Sequence, residues 1–425
     1  MPAHQAAGVT ATAAPPHGAD HGPDRADRGG DAVRAGQRRP RLSACVRQID
    51  ADVALAVQRR LAPLLAGRAA QASAVDATFG ADVAQRVADF TVRGGRRTRP
   101  QFLWWGLRAC GLPDERQIDA ALRLGAALEL IQTCALVHDD LMDEAARRRG
   151  RPAMHVALAS QYADSARGHR TRFGESAAIL AGDLALAWAD DEAAALDLPG
   201  HQLTRIRETW SQMRMEMVAG QYLDVQGEHT QTRSLSHAIR AACLKTALYT
   251  VERPLQLGAI LGGADEATLR ALCSAGRAAG LAFQLRDDLD DVFGSADRSG
   301  KPAAGDLRAG KPTYLVALAH AQAERDGDRH ALQVLGRCLG RPDLDATELD
   351  EVRHVLERTG ARQTVQAKVR RLVAQSMRHL GTAPLDPVAH ARLRLLLQQV
   401  AGAAPPMPLA AAAGSRPTAV EGASR

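Results

Sequence analysis

The chain contains two copies of the pattern Asp-Asp-x-x-Asp, at residues 139–143 and 287–291. Side chains four positions apart share one face of a helix, so Asp139 and Asp143 are expected to point the same way. Like charges on one face repel each other, and hard divalent cations, which bind carboxylate oxygens, would offset that repulsion. Two such clusters far apart in the sequence predict two walls of one metal-filled cleft, which would suit a diphosphate substrate.

The residues before each acidic pattern are apolar, which argues against two solvated acidic helix faces. Residues 130–137 read Leu-Ile-Gln-Thr-Cys-Ala-Leu-Val, and residues 280–285 read Gly-Leu-Ala-Phe-Gln-Leu. Acidic patches on a protein surface rarely follow such buried segments. The metal-cleft interpretation is therefore favoured over a solvated acidic surface.

Two arginine clusters accompany the acidic patterns. Residues 94–100 read Gly-Gly-Arg-Arg-Thr-Arg-Pro, a turn in which the glycines end one helix and Pro100 can open the next. Arg96 and Arg99 therefore lie near a helix N-terminus, which attracts anions, and arginine binds phosphate oxygens two at a time. A second basic run, residues 147–151, follows the first acidic pattern. Beside a metal site, both runs favour a polyanionic ligand over ordinary solvated turns.

Lysine is rare in a chain that otherwise uses arginine, and its positions are Lys245, Lys301, Lys311 and Lys368. Lys245 falls within a predicted helix, whereas Lys301 and Lys311 each lie between a glycine and a proline after the second acidic pattern. Lys368 lies on the polar side of an apolar helical stripe, so we expect it to be solvated. A chain that prefers arginine is expected to keep lysine where a compact point charge is needed, with codon usage as the alternative explanation.

The composition predicts an all-α fold. Of the 425 residues, 46% are hydrophobic but only 3% are aromatic, and the alternating Val, Ile and Thr runs that mark strands are missing. Helical periods are frequent within residues 42–401, which we predict to form one domain, a large helical bundle. Residues 1–41 and 402–425 are rich in small residues and proline without periodicity, so we predict a disordered leader and a disordered tail.

Several other function classes are not indicated. The net charge of +6 is modest and has no basic face with stacking aromatics beside it, so no nucleic-acid partner is predicted. The six cysteines include no Cys-x-x-Cys pair, so neither zinc nor a disulfide framework is expected, and a reducing cytoplasm fits best. No uninterrupted apolar stretch is long enough to span a bilayer, and the N-terminus lacks the apolar region of a secretory signal.

An ordered set of short motifs resembles one enzyme family. In chain order, the set comprises the Gly-Gly-Arg-Arg-Thr-Arg-Pro turn, His138 with the first acidic pattern, Arg148-Arg149-Gly150-Arg151-Pro152 with His155, Gly220-Gln221, Lys245-Thr246, Phe283-Gln284-Leu285-Arg286 with the second acidic pattern, and Gly310-Lys311-Pro312-Thr313. The order and spacing are similar to those of the trans-isoprenyl diphosphate synthases, or polyprenyl synthetases, and most like the bacterial geranylgeranyl diphosphate synthases. The resemblance implies a large helical bundle around a deep central cavity, with both acidic patterns at its mouth.

The family condenses isopentenyl diphosphate with an allylic diphosphate, head to tail, through an allylic carbocation. The resemblance implies three magnesium ions per active site, which neutralise charge on the departing diphosphate. The leading metal ligands would be Asp139, Asp143 and Asp287, assisted directly or through water by Asp140, Asp288 and Asp291. The same diphosphate would also be bound by Arg148, Lys245, Lys301 and Lys311.

The resemblance also implies a site for isopentenyl diphosphate, formed by Arg96, Arg99, Gln132 and Arg149. Two of these positions depart from the family, which usually has lysine at position 96 and often histidine at position 132. Arginine keeps the charge, whereas glutamine keeps only a hydrogen-bond donor. Thr246 and Gln284 match residues whose oxygens face the carbocation, and with Lys245 they are the predicted catalytic residues. The departing diphosphate is the expected base, so neither His138 nor His155 is assigned that role.

The residues four and five positions before the first acidic pattern predict the length of the product. In the family, bulky residues there block the growing chain, and in this sequence Ala135 and Cys134 are small. Ile131, two turns below Asp139 on nearly the same face, would be the first medium-sized barrier. Geranylgeranyl diphosphate is the predicted main product, with farnesyl diphosphate or products of five or more isoprene units as alternatives.

Three alternatives come from other functional classes. A carboxylate-bridged metal bundle for redox chemistry would need Glu-x-x-His pairs, and none accompanies the two acidic patterns. A non-catalytic partner subunit would have lost a motif, whereas both acidic patterns and their basic neighbours are present here. A terpene cyclase would use a second motif that contains Asn, and this chain has no Asn. The resemblance further implies a homodimer.

Overall fold

The computed structural model describes residues 43–162, 169–294 and 304–402. The chain divides into two compact units, Met1–Cys45 and Val46–Arg425. The first unit lies almost wholly outside the described residues, and so do the predicted leader and nearly all of the predicted tail. All elements named below belong to the second unit.

The described part of the second unit is helical apart from one short hairpin. Its first half contains α1 (Val53–Val75), α2 (Ala77–Phe79), a π-helical turn (Gly80–Ala84), α3 (Gln85–Val92), α4 (Thr98–Arg108), α5 (Glu115–Met142), β1 (Arg147–Arg148), β2 (Arg151–Pro152), α6 (Met154–Gln161) and α7 (Arg170–Ala194). Its second half contains α8 (Gly200–Thr230), α9 (Leu235–Ala242), a second π-helical segment (Cys243–Glu252), α10 (Arg253–Leu261), α11 (Glu266–Phe293), α12 (Gly305–Ala309), α13 (Tyr314–Asp326), α14 (Arg329–Cys338), α15 (Ala346–Arg358), α16 (Ala361–Leu380) and α17 (Pro387–Val400). The prediction of an all-α bundle is confirmed.

The helices α5 and α11 are each 28 residues long, and each carries one acidic pattern at its C-terminal end. At the start of α5, the Asp114 carboxylate accepts a hydrogen bond from the Gln117 amide, and the Gln117 side chain accepts one from the Asp114 amide. At the start of α11, the Asp265 carboxylate accepts a hydrogen bond from the Thr268 amide and so caps the helix. Because the dipole of a helix makes its C-terminal end negative, carboxylates there are unfavourable for folding and attract cations.

The core is built around these long helices. The largest fully buried side chains include Phe102 and Trp104 of α4 and Leu124, Leu128 and Ile131 of α5. α5 packs against α7, α4 against α10, and α11 against both α16 and the second π-helical segment. A further apolar cluster joins the end of α11 to the helices from α12 to α16. Close packing of this kind holds the ends of α5 and α11 in place.

By length and composition, α5 could cross a membrane, since its most apolar window has a mean hydropathy of 1.5. This segment was not predicted to span a membrane, because the charged residues Arg123 and Glu129 interrupt it. Of that window, 72% is buried inside the protein. A helix that is apolar on all sides is expected at the centre of a large bundle, and the burial of α5 agrees with that position.

The hairpin formed by β1 and β2 was not predicted. Its strands pair antiparallel, with Arg148 opposite Arg151. The two loop residues, Arg149 and Gly150, have φ angles of 52° and 76°, and a type I′ turn requires a positive φ at both positions. Strands of two residues are too short to show an alternating pattern, so the sequence carries no strand signal here. The turn begins between Arg148 and Arg149, so their side chains contact different residues. Arg148 bonds to Asp139 and Asp140, whereas Arg149 lies over the Phe90 ring.

Candidate active site

The ends of α5 and α11 meet at one cleft with a volume of about 210 Å³. Its lining combines carboxylates from both acidic patterns with cations from three other segments. The charged residues of the lining are Asp139, Asp143, Arg148, Asp224, Lys245, Asp287, Asp288, Asp306 and Lys311. The cleft therefore has the two acidic walls that the spacing of the sequence patterns predicts.

Asp139 is the most heavily bonded carboxylate of the first wall. Its Oδ1 accepts hydrogen bonds from Lys245 Nζ at 3.1 Å and from Gln221 Nε2 at 3.2 Å, and its Oδ2 accepts one from Arg148 Nη2 at 3.2 Å. Burial alone would raise the pKa of Asp139, but the charges of Lys245 and Lys311 bring it below its ordinary value. Asp139 is therefore an ionised oxygen donor at neutral pH.

Asp140 has a different environment from its neighbour, because its side chain is fully buried. Its Oδ1 accepts a hydrogen bond from Arg148 Nε at 2.7 Å. Burial raises the pKa of Asp140, and the bond to Arg148 opposes that rise only in part. In this structure Asp140 positions Arg148, which reaches Asp139 with its other nitrogen.

The second wall joins three side chains in one hydrogen-bonded series. Thr246 Oγ1 donates to Gln284 Oε1 at 2.6 Å, and Gln284 Nε2 donates to Asp288 Oδ1 at 2.8 Å. Asp288 is buried, and burial followed by the charge of Asp306 raises its pKa well above the ordinary value. The series fixes the orientation of the Gln284 amide. The neighbouring Asp287 is exposed and lines the cleft directly.

Asp291, the last acid of the second pattern, does not line the cleft. Its Oδ1 accepts a hydrogen bond from the Gly305 amide at 3.1 Å, and its Oδ2 accepts one from the Asp306 amide at 3.0 Å. These bonds satisfy free amides at the start of α12. Asp291 thereby anchors the segment that carries Asp306 and Lys311 into the cleft.

Two lysines lie between the acidic walls. Lys245 Nζ is 2.6 Å from Asp224 Oδ2, and Lys311 Nζ is 2.7 Å from Asp143 Oδ2. Burial alone would lower the pKa of both lysines, but the carboxylates, Asp224 foremost, raise it above the ordinary value. Both side chains are therefore fixed cations in a partly desolvated site.

A π-helical segment carries Lys245 and Thr246, and such segments are rare and often occur at functional sites. α8 passes very close to it at Gly220, where a Cβ atom would lie only 2.3 Å from the backbone nitrogen of Lys245. Glycine is therefore required for this approach. The contact brings Gln221 and Asp224 of α8 beside Lys245.

Two cleft carboxylates were missed by the sequence analysis. Asp224 contacts Lys245, and Asp306 is held close to Asp291 and Lys311. Burial, followed by the charge of Asp291, raises the pKa of Asp306 to about 7. Neither acid belongs to a repeated pattern. The only sequence signals for a role in the site were that Asp224 lies close to Gly220-Gln221 and that Asp306 lies close to Lys311.

The residues predicted to bind isopentenyl diphosphate lie in different surroundings. Arg96 is exposed, and Gln132 Oε1 is buried and accepts no hydrogen bond from the described residues. The Arg99 guanidinium lies 4.2 Å from the centre of the Tyr249 ring and donates to Thr250 Oγ1. Arg149, the fourth predicted residue, lies over the Phe90 ring at 5.8 Å. Arg97, between the predicted pair in the turn, is instead buried in an ion pair with Glu129.

The two remaining lysines, Lys301 and Lys368, can be compared with their predicted roles only in part. Lys301 lies outside the described residues. Lys368 was expected to be solvated. Its side chain is half-buried, and its Nζ lies 5.2 Å from the centre of the Tyr314 ring. Tyr314 lines the cleft, so Lys368 supports a cleft residue through a cation–π contact. The stripe pattern did not reveal this contact because Tyr314 belongs to another helix.

The predicted chain-length residues lie below Asp139 on α5. Ile131 and Cys134 are buried, and Ala135 is half-buried on nearly the same face as Asp139. Cys134 Sγ lies 3.7 Å from His138 Nδ1, and the other nitrogen of that ring lies 3.1 Å from a backbone carbonyl of α7. Burial raises the pKa of Cys134 to about 12, so its thiol is unreactive. Ala135 is thus the residue of this group most directly below the cleft.

Among the described residues, no three acidic, imidazole or thiol side chains converge closely enough to form a ready-made metal site. The donor set nevertheless fits magnesium, because the carboxylates that line the cleft supply only oxygen atoms. Their position at helix C-terminal ends also favours a cation. The acids best placed to hold such ions are Asp139, Asp143 and Asp287, because they line the cleft without being fully buried. Asp140 and Asp288 are buried, and Asp291 binds the start of α12.

An all-α bundle whose two acidic helix ends face fixed lysines and an arginine defines the isoprenoid synthase type of enzyme. A family model described as polyprenyl synthetase matches residues 81–354. The chain belongs to this family. It is accordingly a prenyltransferase.

Individual relatives agree on the family and differ in their named products. The (2E,6E)-farnesyl diphosphate synthase of Mycobacterium tuberculosis is 31% identical over 283 residues, covering 67% of this chain and 72% of that protein. The geranylfarnesyl diphosphate synthase of Aeropyrum pernix is 29% identical over 312 residues, covering 72% of this chain and 90% of that protein. The geranylgeranyl pyrophosphate synthase of Corynebacterium glutamicum, a crystal structure with isoprenyl diphosphate and magnesium, gives a TM-score of 0.76 at 34% identity, covering 81% of this chain and 97% of that one.

Proposed function

We propose that this chain condenses isopentenyl diphosphate with allylic diphosphates, head to tail, and that geranylgeranyl diphosphate is its main product. The observation that carries the proposal is the cleft itself, in which Lys245, Lys311 and Arg148 are held between two acidic walls. Fixed cations in a water-poor site stabilise the negative charge that develops on a departing diphosphate. Their ion pairs with aspartates keep them in place before the substrate arrives.

The cleft residues divide between binding and protection of the carbocation. Lys245, Lys311 and Arg148 would bind the allylic diphosphate. Magnesium, when bound, would add charge neutralisation on the leaving group, and we propose three ions held mainly by Asp139, Asp143 and Asp287. The hydroxyl of Thr246 and the amide of Gln284, oriented by their mutual bond, would face the allylic carbon. The apolar part of the lining, which includes Leu223, Ala238, Ala241, Ala242 and Pro312, would limit the access of water to that carbon.

The reaction is tested by incubating the purified chain with labelled isopentenyl diphosphate and each allylic starter, and by measuring the chain length of the product. We expect elongation by the chain alone, with the twenty-carbon product dominant. No turnover by the pure chain would favour the non-catalytic partner subunit instead. A product that stops at farnesyl diphosphate in excess isopentenyl diphosphate would contradict the proposed chain length but not the reaction.

Replacement of Ala135 should shorten the product. Ala135→Phe would place an aromatic ring one turn below Asp139, and we expect the main product to shift from geranylgeranyl to farnesyl diphosphate with turnover largely kept. Cys134 is a poorer position for the test, because enlarging a side chain in that tight contact with His138 costs roughly 1–3 kcal/mol. The measurement is the product distribution by radio-chromatography.

The matched control is Leu136→Phe, which adds a similar ring to the next position, on a different face of α5. We expect its product to match that of the unchanged enzyme. If both variants shorten the product equally, or if neither does, Ala135 does not limit the chain.

We also propose that the chain forms a homodimer in the cytoplasm. Met215, Val218 and Tyr222 on one face of α8 are 71%, 62% and 67% exposed. On α7, which α8 contacts through the hydrogen bond from Trp210 to Asp190, Leu180 is also exposed. Monomeric proteins rarely expose several large apolar side chains on one helix face, and a second copy of the chain would cover them. All six cysteines are free, which agrees with a reducing compartment.

A charged substitution in this patch should prevent association. We expect Met215→Glu combined with Val218→Glu to give a monomer in sedimentation experiments, because it would bury carboxylates without partners in the interface. Arg270→Glu, at an exposed position near the start of α11, should leave the assembly unchanged. A monomeric unchanged chain would refute the dimer.

A further inference from the structure

The segment that carries Lys311 into the cleft is fixed at both of its ends. At the first end, the Asp291 carboxylate accepts hydrogen bonds from the amides of Gly305 and Asp306. At the second end, the Lys311 amide donates to the Asp306 carbonyl at 2.9 Å and so closes the last turn of α12. The Lys311 side chain therefore starts from a backbone position that α12 sets.

The turn between α14 and α15, residues 339–342, contacts the second end of α12. The Gly340 amide donates to the Leu307 carbonyl at 2.9 Å, and Arg308 Nη1 donates to the Pro342 carbonyl at 2.8 Å. The turn itself does not line the cleft. Two hydrogen bonds thus join the segment that carries Lys311 to a part of the protein outside the cleft.

The apolar core holds this turn in place. Cys338 and Leu344, on either side of the turn, are buried in one apolar cluster with Leu307 of α12. Side chains packed at the density of a protein interior are hardly compressible, so they transmit a displacement instead of absorbing it. The turn is therefore a firm support for α12.

The backbones of α12 and the turn meet at two glycines. Gly310 and Gly340 both have left-handed backbones, with φ angles of 72° and 75°. A Cβ atom added at Gly310 would lie 3.0 Å from the Gly340 Cα and 3.3 Å from its nitrogen. Both distances are shorter than the optimal separation of non-bonded heavy atoms. A methyl group at Gly310 would therefore push the end of α12 away from the turn.

We infer that the turn of residues 339–342 positions Lys311 for the departing diphosphate, through its contacts with Gly310 and Arg308. The inference rests on the proposed function and adds positioning residues that lie outside the cleft. Lys311 Nζ lies 2.7 Å from Asp143 Oδ2, so its side chain reaches across the cleft to the first acidic wall. A misplacement of about 1 Å in a group that binds the reacting part of a substrate can cost roughly 10²-fold in rate.

Gly310→Ala should lower turnover about tenfold, because the added methyl group displaces Lys311 by part of an ångström. The matched control is Gly327→Ala. Gly327 ends α13 with the same pair of hydrogen bonds and a φ angle of 64°, but a Cβ atom added there meets no described atom within 4 Å. Both alanines carry the same left-handed strain, so a loss of stability alone would affect both variants alike. Equal turnover in the two variants would overturn the inference.

Arg308→Gln weakens the same contact without a steric clash, so it serves as the test if Gly310→Ala does not fold. Loss of the bond to Pro342 should lower turnover roughly two- to tenfold, the range that the free energy of one hydrogen bond allows. Arg325→Gln is the matched control, because Arg325 precedes Gly327 at the same spacing and pairs only with its exposed neighbour Asp326 in the described structure. Equal turnover in the two arginine variants would refute the role of Arg308.

A double variant shows whether the effect acts through Lys311. Lys311→Gln alone removes the charge that the turn is inferred to position. In that background, Gly310→Ala should lower turnover by less than about twofold, since the group that it displaces is already gone. Losses that multiply in the double variant would show that Gly310→Ala acts elsewhere, and the inference would fail.

Calorimetric titration of inorganic diphosphate in the presence of magnesium keeps this test independent of turnover. Gly310→Ala should weaken binding about tenfold, within the range for a hydrogen bond from a charged donor, whereas Gly327→Ala should not. This pattern supports the inference even if the unchanged enzyme forms no product, a result that would refute only the proposed reaction. Turnover in the unchanged enzyme with equal binding in all variants would refute the positioning contact and leave the reaction standing.

Discussion

Asp139→Ala and Asp287→Ala should each lower turnover by about three powers of ten or more, because each removes an oxygen donor from the ions that neutralise the leaving group. The two residues come from opposite walls of the cleft, and both line it. Turnover is measured under saturating substrates with magnesium in excess. The unchanged enzyme should also lose activity in a chelator and recover it when magnesium is added.

Asp290→Ala provides the matched control for these variants. Asp290 lies in the same turn of α11 as Asp287, but it is 59% exposed and pairs with Arg286. An exposed ion pair contributes little, so we expect nearly unchanged turnover and stability. Full activity in excess chelator, or equal activity of the Asp287 and Asp290 variants, would contradict the proposed metal ligands.

Lys245→Gln should lower turnover by roughly 10²- to 10³-fold, the usual effect of removing one preorganised group that stabilises a developing anion. Lys245 is suited to this role because Asp139 and Asp224 hold its ammonium group in the cleft. Glutamine keeps a hydrogen-bond donor of similar reach and removes the charge. The affinity for isopentenyl diphosphate should change much less than turnover.

The control for Lys245→Gln is Arg240→Gln, an exposed cation in the preceding helix, α9. Lys368 is unsuitable for this purpose, because its contact with Tyr314 connects it to the cleft. Thermal unfolding should show similar melting temperatures for both variants if the effect of Lys245 is catalytic. Equal kinetics for the two variants would show that the scarcity of lysine reflects codon usage alone.

Features that depend on neighbouring residues along the chain were predictable from the sequence. Helical periodicity is a local property, and so is the spacing that puts Asp139 and Asp143 on one face. The order of the short motifs was sufficient to identify the family, and the family model matches residues 81–354, a range that contains all of those motifs. The all-α class followed from composition, since few residues favour strands.

The different roles of the six acids were not available from the sequence. Asp139 and Asp140 are adjacent and chemically identical, but Asp139 lines the cleft while Asp140 is buried against Arg148. The distinction depends on which side of α5 is covered by other segments. Desolvation raises the pKa of both carboxyls, but only Asp139 has lysines close enough to overcome it, so the pKa of Asp139 falls while that of Asp140 rises.

Contacts between distant segments were decided by the tertiary structure alone. Asp224 joins the cleft because α8 passes close to the π-helical segment at Gly220. Lys368 contacts Tyr314 because α16 and α13, which are distant in the sequence, pack against each other. Local patterns determine which face of a helix is apolar, but the identity of the partner across that face depends on the packing of the whole core. The sequence thus determined the chemistry that the protein carries, and the packing determined which residues share each cavity.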